Sequence, residues 1–276
     1  MKILMRTSLY PASTEYPYTA PDDVILQAKN LYVKYMRYGI DQDMLLLSIP
    51  IDDIAFDEIS QFKTMNKEFY EKDLRLFERS YTKREMDEGE YYRLKIQNIV
   101  YVVENPKVFN FCCGEESFYV EQEQDMEIEP KSFSNKHLGF TTNYRFVVSQ
   151  KLKECLEDNH ITNIDFRPVW TKRDKIKPTA FQIESKKLLP NLAELNGWET
   201  YLDCKTRNLS VYNSNYPKSI RVTKGIAEKM YDFNSSAERF TEMGAREYII
   251  SKKFLDILKE MNIKRLRCEP IDIVGF

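Results

Sequence analysis

Two stretches of this sequence, RFVVSQKLKECLEDNHITNIDFRPV (145–169) and EYIISKKFLDILKEMNIKRLRCEPI (247–271), align without a gap at an offset of 102 residues. Any fold the chain adopts must accommodate both. Ser149/Ser251, Lys151/Lys253, Leu156/Leu258, Ile161/Ile263 and Pro168/Pro270 are identical pairs. Phe146/Tyr248, Val147/Ile249, Val148/Ile250, Leu152/Phe254, Cys155/Ile257 and Ile164/Leu266 keep their apolar character. A chance alignment would not keep identities and apolar pattern together, so the segment reads as an internal duplication.

Each copy is expected to form a strand, a helix and a second strand. A β-branched or aromatic run ends at a serine whose hydroxyl can cap the first free amides of a helix. Leu152, Cys155 and Leu156 make one apolar helix face, and Phe254, Ile257, Leu258 and Met261 make the other. A polar turn containing Asn159 or Asn262 stops the helix. The next strand alternates, with Ile164/Phe166 and Leu266/Cys268 pointing inward, until a proline ends its pairing. Each copy would expose a one-sided apolar face, so the two should pack in one assembly.

The remainder is read around this pair. Residues 1–23 suggest an irregular arm, 24–38 a helix or a helix–strand join, and LLLSIPI (45–51) a strand. Apolar residues from Ile54 to Phe77 recur at helical spacing, which predicts a helix from about Asp52 to Arg79. Strands are expected at 91–97, 98–104, 116–122, 180–185, 198–204, 208–213 and 219–222, with a short helix near 224–231. The expected fold is α+β: mixed or antiparallel sheets, the duplicated strand–helix–strand unit (145–169 and 247–271) and a helical N-terminal region. The expected domains are a helix-rich 1–97 and a duplicated α+β 98–276.

Several function classes are excluded by spacing. The eight glycines lie at 39, 89, 114, 139, 197, 225, 244 and 275, none within six residues of another. Dinucleotide fingerprints, P-loops, kinase glycine loops and GxSxG elbows all need such closeness. Only His137 and His160 are present, too few for a three-histidine metal site. Both read more simply, as a surface residue and a helix-ending turn residue. A net charge of −2 supplies no global attraction to polyanions or anionic membranes. The first apolar run stops after three residues, and no stretch approaches a membrane span. With five irregularly spaced cysteines, this points to free thiols in a reducing cytoplasm.

Three patterns could carry function. Between Glu115 and Pro130 lie seven acidic residues and no basic one. That stretch is a solvated edge or a docking face for a basic protein partner, with Glu115, Glu116, Phe118, Tyr119, Glu121, Glu123 and Asp125 as contacts. FQIESK (181–186) has the apolar–Glu–x–Lys form of a magnesium-dependent nuclease strand. Glu184 and Lys186 would act there with Asp174, or with Asp165 in its place. Coincidence is the plainer account of so short a match. Basic runs at 171–177 and 264–267, the first beside Trp170, could touch nucleic acid or form solvated turns.

Asn110-Phe111-Cys112-Cys113-Gly114 has the shape of a CxxCG knuckle with its first cysteine replaced, and Cys204-Lys205-Thr206-Arg207-Asn208 keeps only the first. With the two similar endings, this arrangement resembles the double-CXXCG-motif family of bacterial proteins over roughly 98–276. It is also similar to immunity proteins of polymorphic toxin systems. The resemblance implies a cytoplasmic, non-catalytic binding protein that neutralises a toxin. The altered knuckles leave too few soft ligands for zinc, so no metal or cofactor is expected.

Overall fold

The computed structural model describes residues 2–9, 20–70, 76–103, 109–113, 118–171, 176–202, 209–212, 219–240 and 245–275. The chain forms two compact units, 1–85 and 86–276. It is a mixed α+β protein with several mostly antiparallel sheets and, among the described residues, eight α-helices.

The first unit holds β1 (Lys2–Ser8), α1 (Asp22–Lys34), β2 (Gly39–Asp41), β3 (Leu46–Pro50), α2 (Ile54–Met65) and β4 (Leu76–Ser80). The strands lie antiparallel in the order β2-β3-β1-β4. Helix α2 starts where the Asp53 carboxylate accepts the Ala55 amide at 2.9 Å. It stops at Asn66, whose side chain and backbone both donate to the Phe62 carbonyl. Met5, Leu47 and Ile49 from the sheet meet Val24, Ala28, Ile59 and Phe62 from the helices in one core.

A helical N-terminal region is therefore not what forms. The presumed arm contains β1, and the helix expected to reach Arg79 ends at Met65. Helical spacing continues past Met65 through Phe69, Leu74 and Phe77, but Asn66 closes the helix first, and Leu76–Ser80 pairs with β1. Periodicity alone does not detect such a stop.

Next come α3 (Lys83–Glu88), β5 (Tyr91–Ile96), β6 (Ile99–Val100), β7 (Phe109–Cys113), β8 (Phe118–Gln122), α4 (Pro130–Phe133), β9 (Leu138–Thr141), β10 (Phe146–Val148), α5 (Gln150–Asp158), β11 (Ile164–Val169) and β12 (Ala180–Ser185). After these lie α6 (Ala193–Asn196), β13 (Glu199–Leu202), β14 (Leu209–Tyr212), β15 (Arg221–Thr223), α7 (Lys224–Ala227), β16 (Phe233–Ser235), β17 (Arg239–Phe240), β18 (Tyr248–Ser251), α8 (Lys252–Glu260), β19 (Leu266–Pro270) and β20 (Asp272–Val274). Two sheets dominate the second unit, in the orders β11-β12-β10-β9-β6 and β19-β5-β18-β16.

In both sheets a strand–helix–strand segment is split by a central antiparallel strand. β12 lies between β10 and β11, and β5 lies between β18 and β19. Val148 and Pro168 both pair with Phe181, as Ile250 and Pro270 both pair with Tyr92. Each central strand then runs on to the other sheet. Past β5, Ile99 pairs in parallel with Phe140, and past β12, Leu188 bridges Ser235 in parallel.

The helix ends account for three of the five identical pairs. Ser149 Oγ accepts the Leu152 amide and Ser251 Oγ the Phe254 amide, both at 3.2 Å. At the other end His160 and Asn262 turn left-handed, at φ 51° and 53°. Their amides bond to the carbonyls of Glu157 and Lys259, while those of Ile161 and Ile263 reach back to Leu156 and Leu258. This pair of bonds is a Schellman ending, which also calls for an apolar contact between the isoleucine and leucine positions. Both helices pack into one core, where Leu152, Leu156, Phe254 and Leu258 are fully buried with Phe233, Tyr92 and Ile250. The opposite sheet faces have separate cores, one around Val147 and one around Ile249.

Candidate functional site

A cleft of about 280 Å³ opens in the second unit. Its walls come from both large sheets and the segments beside them. Arg145 precedes β10, Arg167 lies on β11, and Glu184 and Ser185 end β12. From the other side come Ser235 of β16, Arg239 of β17, Arg246 and Tyr248, with Leu188 and Gln122 at the margins.

The second sheet shows what this arrangement is not. At the ladder rung of Ile249, the central strand offers Arg93 and the outer strand Glu269. Arg93 Nε donates to Glu247 at 2.5 Å, its Nη2 meets the other Glu247 oxygen, and Lys95 reaches Glu269 at 2.8 Å. Burial and the neighbouring Arg93 lower the Lys95 pKa, against the pull of Glu269. Arg93 and Lys95 of the central strand thus meet carboxylates from the flanking segments. On the matching rung of the first sheet, Val147 lies beside Gln182, and Gln182 beside Arg167. The one cation of that rung, Arg167, sits on the outer strand beside an uncharged amide.

The arginines are held by different means. Arg167 Nε donates to Asp125 at 2.9 Å and its Nη2 to the Glu123 carbonyl at 3.1 Å. Asp125 also accepts the Trp170 indole N–H at 3.1 Å. Arg145 donates to the Tyr144 carbonyl at 3.4 Å, and its backbone N–H is held by Thr141 Oγ1 at 2.9 Å. Arg246 Nη1 donates to the carbonyls of Ser236 and Ala237, at 2.7 and 2.6 Å. Burial, with repulsion from Arg239 and Arg145, pushes the Arg246 pKa down to about 10. Burial also raises the Tyr248 hydroxyl pKa. Ser185 and Ser235 share a 2.9 Å hydroxyl–hydroxyl bond across the cleft wall.

Of the residues expected from sequence, Glu184 lines this cleft and Asp125 holds one of its arginines. Glu115 and Glu116 lie outside the described residues. Phe118, Tyr119 and Glu121 lie on β8, whose backbone pairs with β7. Glu123 is exposed, while Asp125 is half-buried and occupied by Arg167 and Trp170. Asp174 and Cys204 fall outside the described residues. Asp165 and Glu184 are direct cross-strand partners, Glu184 accepts from the Gln182 amide, and Lys186 is exposed just past β12. Among the described residues no group of three or more His, Cys, Asp or Glu is placed to hold a metal ion. Cys155 and Cys268 are free thiols, and burial pushes the Cys268 pKa up to about 12.

His137, expected at the surface, is half-buried and bonds through Nδ1 to Ser149 Oγ at 2.9 Å, bracing that helix cap. The four cleft arginines were not singled out by sequence. Two lie on separate strands and two in the segments before β10 and β18, and only the chain's return brings them together. No helix among the described residues is long and apolar enough to cross a membrane. The sequence matches no protein-family model and no curated protein.

Proposed function

We propose that this chain is a non-catalytic, cytoplasmic bacterial protein-binding module of the immunity type, neutralising a toxin by covering its working surface. The observation that supports the non-catalytic part of this reading is the make-up of the cleft. Guanidinium groups stay protonated at any working pH, so they hold anions well and shuttle protons poorly. The immunity reading rests on the resemblance of the two endings and altered knuckles. It is supported by a common ancestry for 145–169 and 247–271, which their like caps, like helix endings and like rungs favour. Under this reading the acidic stretch around Glu121 and Glu123 steers a basic toxin into place.

The test is to look for a toxin gene beside this one and to co-express the chain with its product. The chain should restore growth and co-purify with the toxin. Glu121→Lys with Glu123→Lys should slow association at low salt by about tenfold or more. A toxin that remains fully active in the presence of excess chain would overturn the proposal.

A second reading, a magnesium-dependent nuclease using Glu184 and Lys186 with Asp174, draws support from the pairing of Asp165 with Glu184 in the ladder. It requires Mg²⁺-dependent DNA cleavage that Glu184→Gln abolishes. The same mixtures without Mg²⁺ would report nucleic-acid binding alone, as salt-dependent retention.

A further inference from the structure

We propose that the pocket between α8 and β19 receives an aromatic or large aliphatic side chain from an acidic, extended segment of a partner protein. The pocket, of about 300 Å³, lies between Leu255 and Lys259 of α8 and Leu266 and Cys268 of β19, with Met86 and Ile263 completing its wall. Ligand pockets run from about 300 to 1,000 Å³, so this one suits a single side chain.

The first copy of the duplicated segment shows what such a place holds when the chain fills it. At the offset of 102, Phe166 stands for Cys268, Lys153 for Leu255 and Glu157 for Lys259. Lys153 lies over the Phe166 ring, 5.4 Å from its centre, and pairs with Glu157 at 3.1 Å. A ring and an ion pair occupy that position. In the second copy a thiol replaces the ring, Leu255 and Lys259 replace the ion pair, and apolar space remains. An apolar side chain entering it removes both its own surface and these walls from water.

Two features indicate what carries that side chain. β19 is the outer strand of its sheet and, among the described residues, pairs only with β5, so an extended segment can add along its other edge. Residues 259–267 hold Lys259, Lys264, Arg265 and Arg267 against Glu260 alone, and all five are exposed. Asp256 meets Lys259 only at 3.9 Å. Such a rim attracts acidic side chains and turns away basic ones. A polypeptide fits better than single-stranded nucleic acid, which has no peptide N–H and C=O groups to pair with a strand. The surface is separate from the acidic stretch assigned to the toxin and rests on no part of that reading.

Selection of random heptapeptides displayed on phage against the whole chain tests it. Enriched sequences should set an aromatic residue or leucine among aspartates and glutamates. Basic sequences, or no enrichment beyond that on a Cys268→Phe chain, would overturn the site. A synthetic peptide of the commonest sequence should bind about tenfold or more weakly once its central apolar residue is alanine. Cys268→Phe, which copies the first repeat, should weaken that peptide by about tenfold or more. Because the added ring crowds the core edge, the exposed pair Lys259→Glu with Lys264→Glu supplies a second arm, with a similar loss at low salt. An affinity unmoved by both would overturn the pocket.

Methylating one alternate set of peptide amides should abolish binding and methylating the other should spare it; indifference to both would overturn the strand pairing. Displacement of the peptide by oligothymidine at equal concentration would overturn the choice of partner in favour of nucleic acid. A dimer of the unliganded chain that Cys268→Phe dissolves would overturn it in favour of a second copy. Toxin neutralisation without peptide binding would sink this inference alone, and the reverse result would sink only the immunity proposal.

Discussion

Ser251 serves two partners at once, accepting the Phe254 amide and donating to Asp232 Oδ1 at 2.7 Å. Ser149 caps its helix in the same way, but its second partner is His137. Either serine changed to alanine should cost about 1 kcal/mol for the lost cap. Ser251→Ala should cost more, because it also removes a donor from a half-buried carboxylate. Urea denaturation of the two variants checks the order. Burial pushes the Asp232 pKa up, but hydrogen bonds from Ser251 and Thr162, with the nearby Lys253, outweigh it and hold the carboxyl below its ordinary value. The folded pKa is the lower one, so this stabilisation is present above the unfolded value near 3.8 and is lost as pH falls through the folded value. Asp232→Asn should flatten the acid limb of stability below about pH 4. His160 occupies a left-handed position where a β-carbon is strained. His160→Gly should therefore raise stability by up to about 1 kcal/mol, read as a higher urea midpoint.

At the scale of elements, α5 and α8 bury matching leucines, Leu156 and Leu258, in one shared core. Either changed to alanine should cost about 2–5 kcal/mol. The double variant should depart from additivity, since both cavities would open in the same packed cluster. The strand side has its own dependency. Glu247 and Glu269 flank Arg93 with side chains only 14% and 19% exposed. Glu247→Ala leaves Arg93 with the looser Glu269 contact at 3.8 Å and should destabilise by about 2 kcal/mol or more. A melting curve that shifts no more than for an exposed ion pair would contradict this.

At the scale of the molecule, the second unit is stitched by strand exchange. β5 completes the sheet of β18 and β19, though more than 150 residues separate β5 from β18 in sequence. A fragment of 86–276 retains this strand and is expected to unfold cooperatively. One of 98–276 lacks it, leaving open edges on β18 and β19, and is expected to be soluble only transiently. Urea unfolding monitored by tryptophan fluorescence separates the two cases. Such long-range pairing also predicts slow folding relative to helical proteins of similar size.

The expected end of pairing at proline was not met at Pro168, which pairs with Phe181 and is followed by Val169 opposite Ala180. The apolar runs Phe146–Val148 and Tyr248–Ile250, the capping serines and the polar turns that end the helices, by contrast, were legible from residues alone. Each is a local matter of dihedral preference, hydrogen-bond reach or period, and those are written within a dozen neighbouring residues. The partner of each strand was not. Tyr91–Ile96 reads as one strand among several, and only packing made it the centre of a sheet whose other members lie far along the chain. The halt of α2 at Asn66 and the gathering of Arg145, Arg167, Arg239 and Arg246 depend likewise on where distant segments come to rest. Sequence determines which faces must be buried; the closing of the sheets decides which charges are left facing one another.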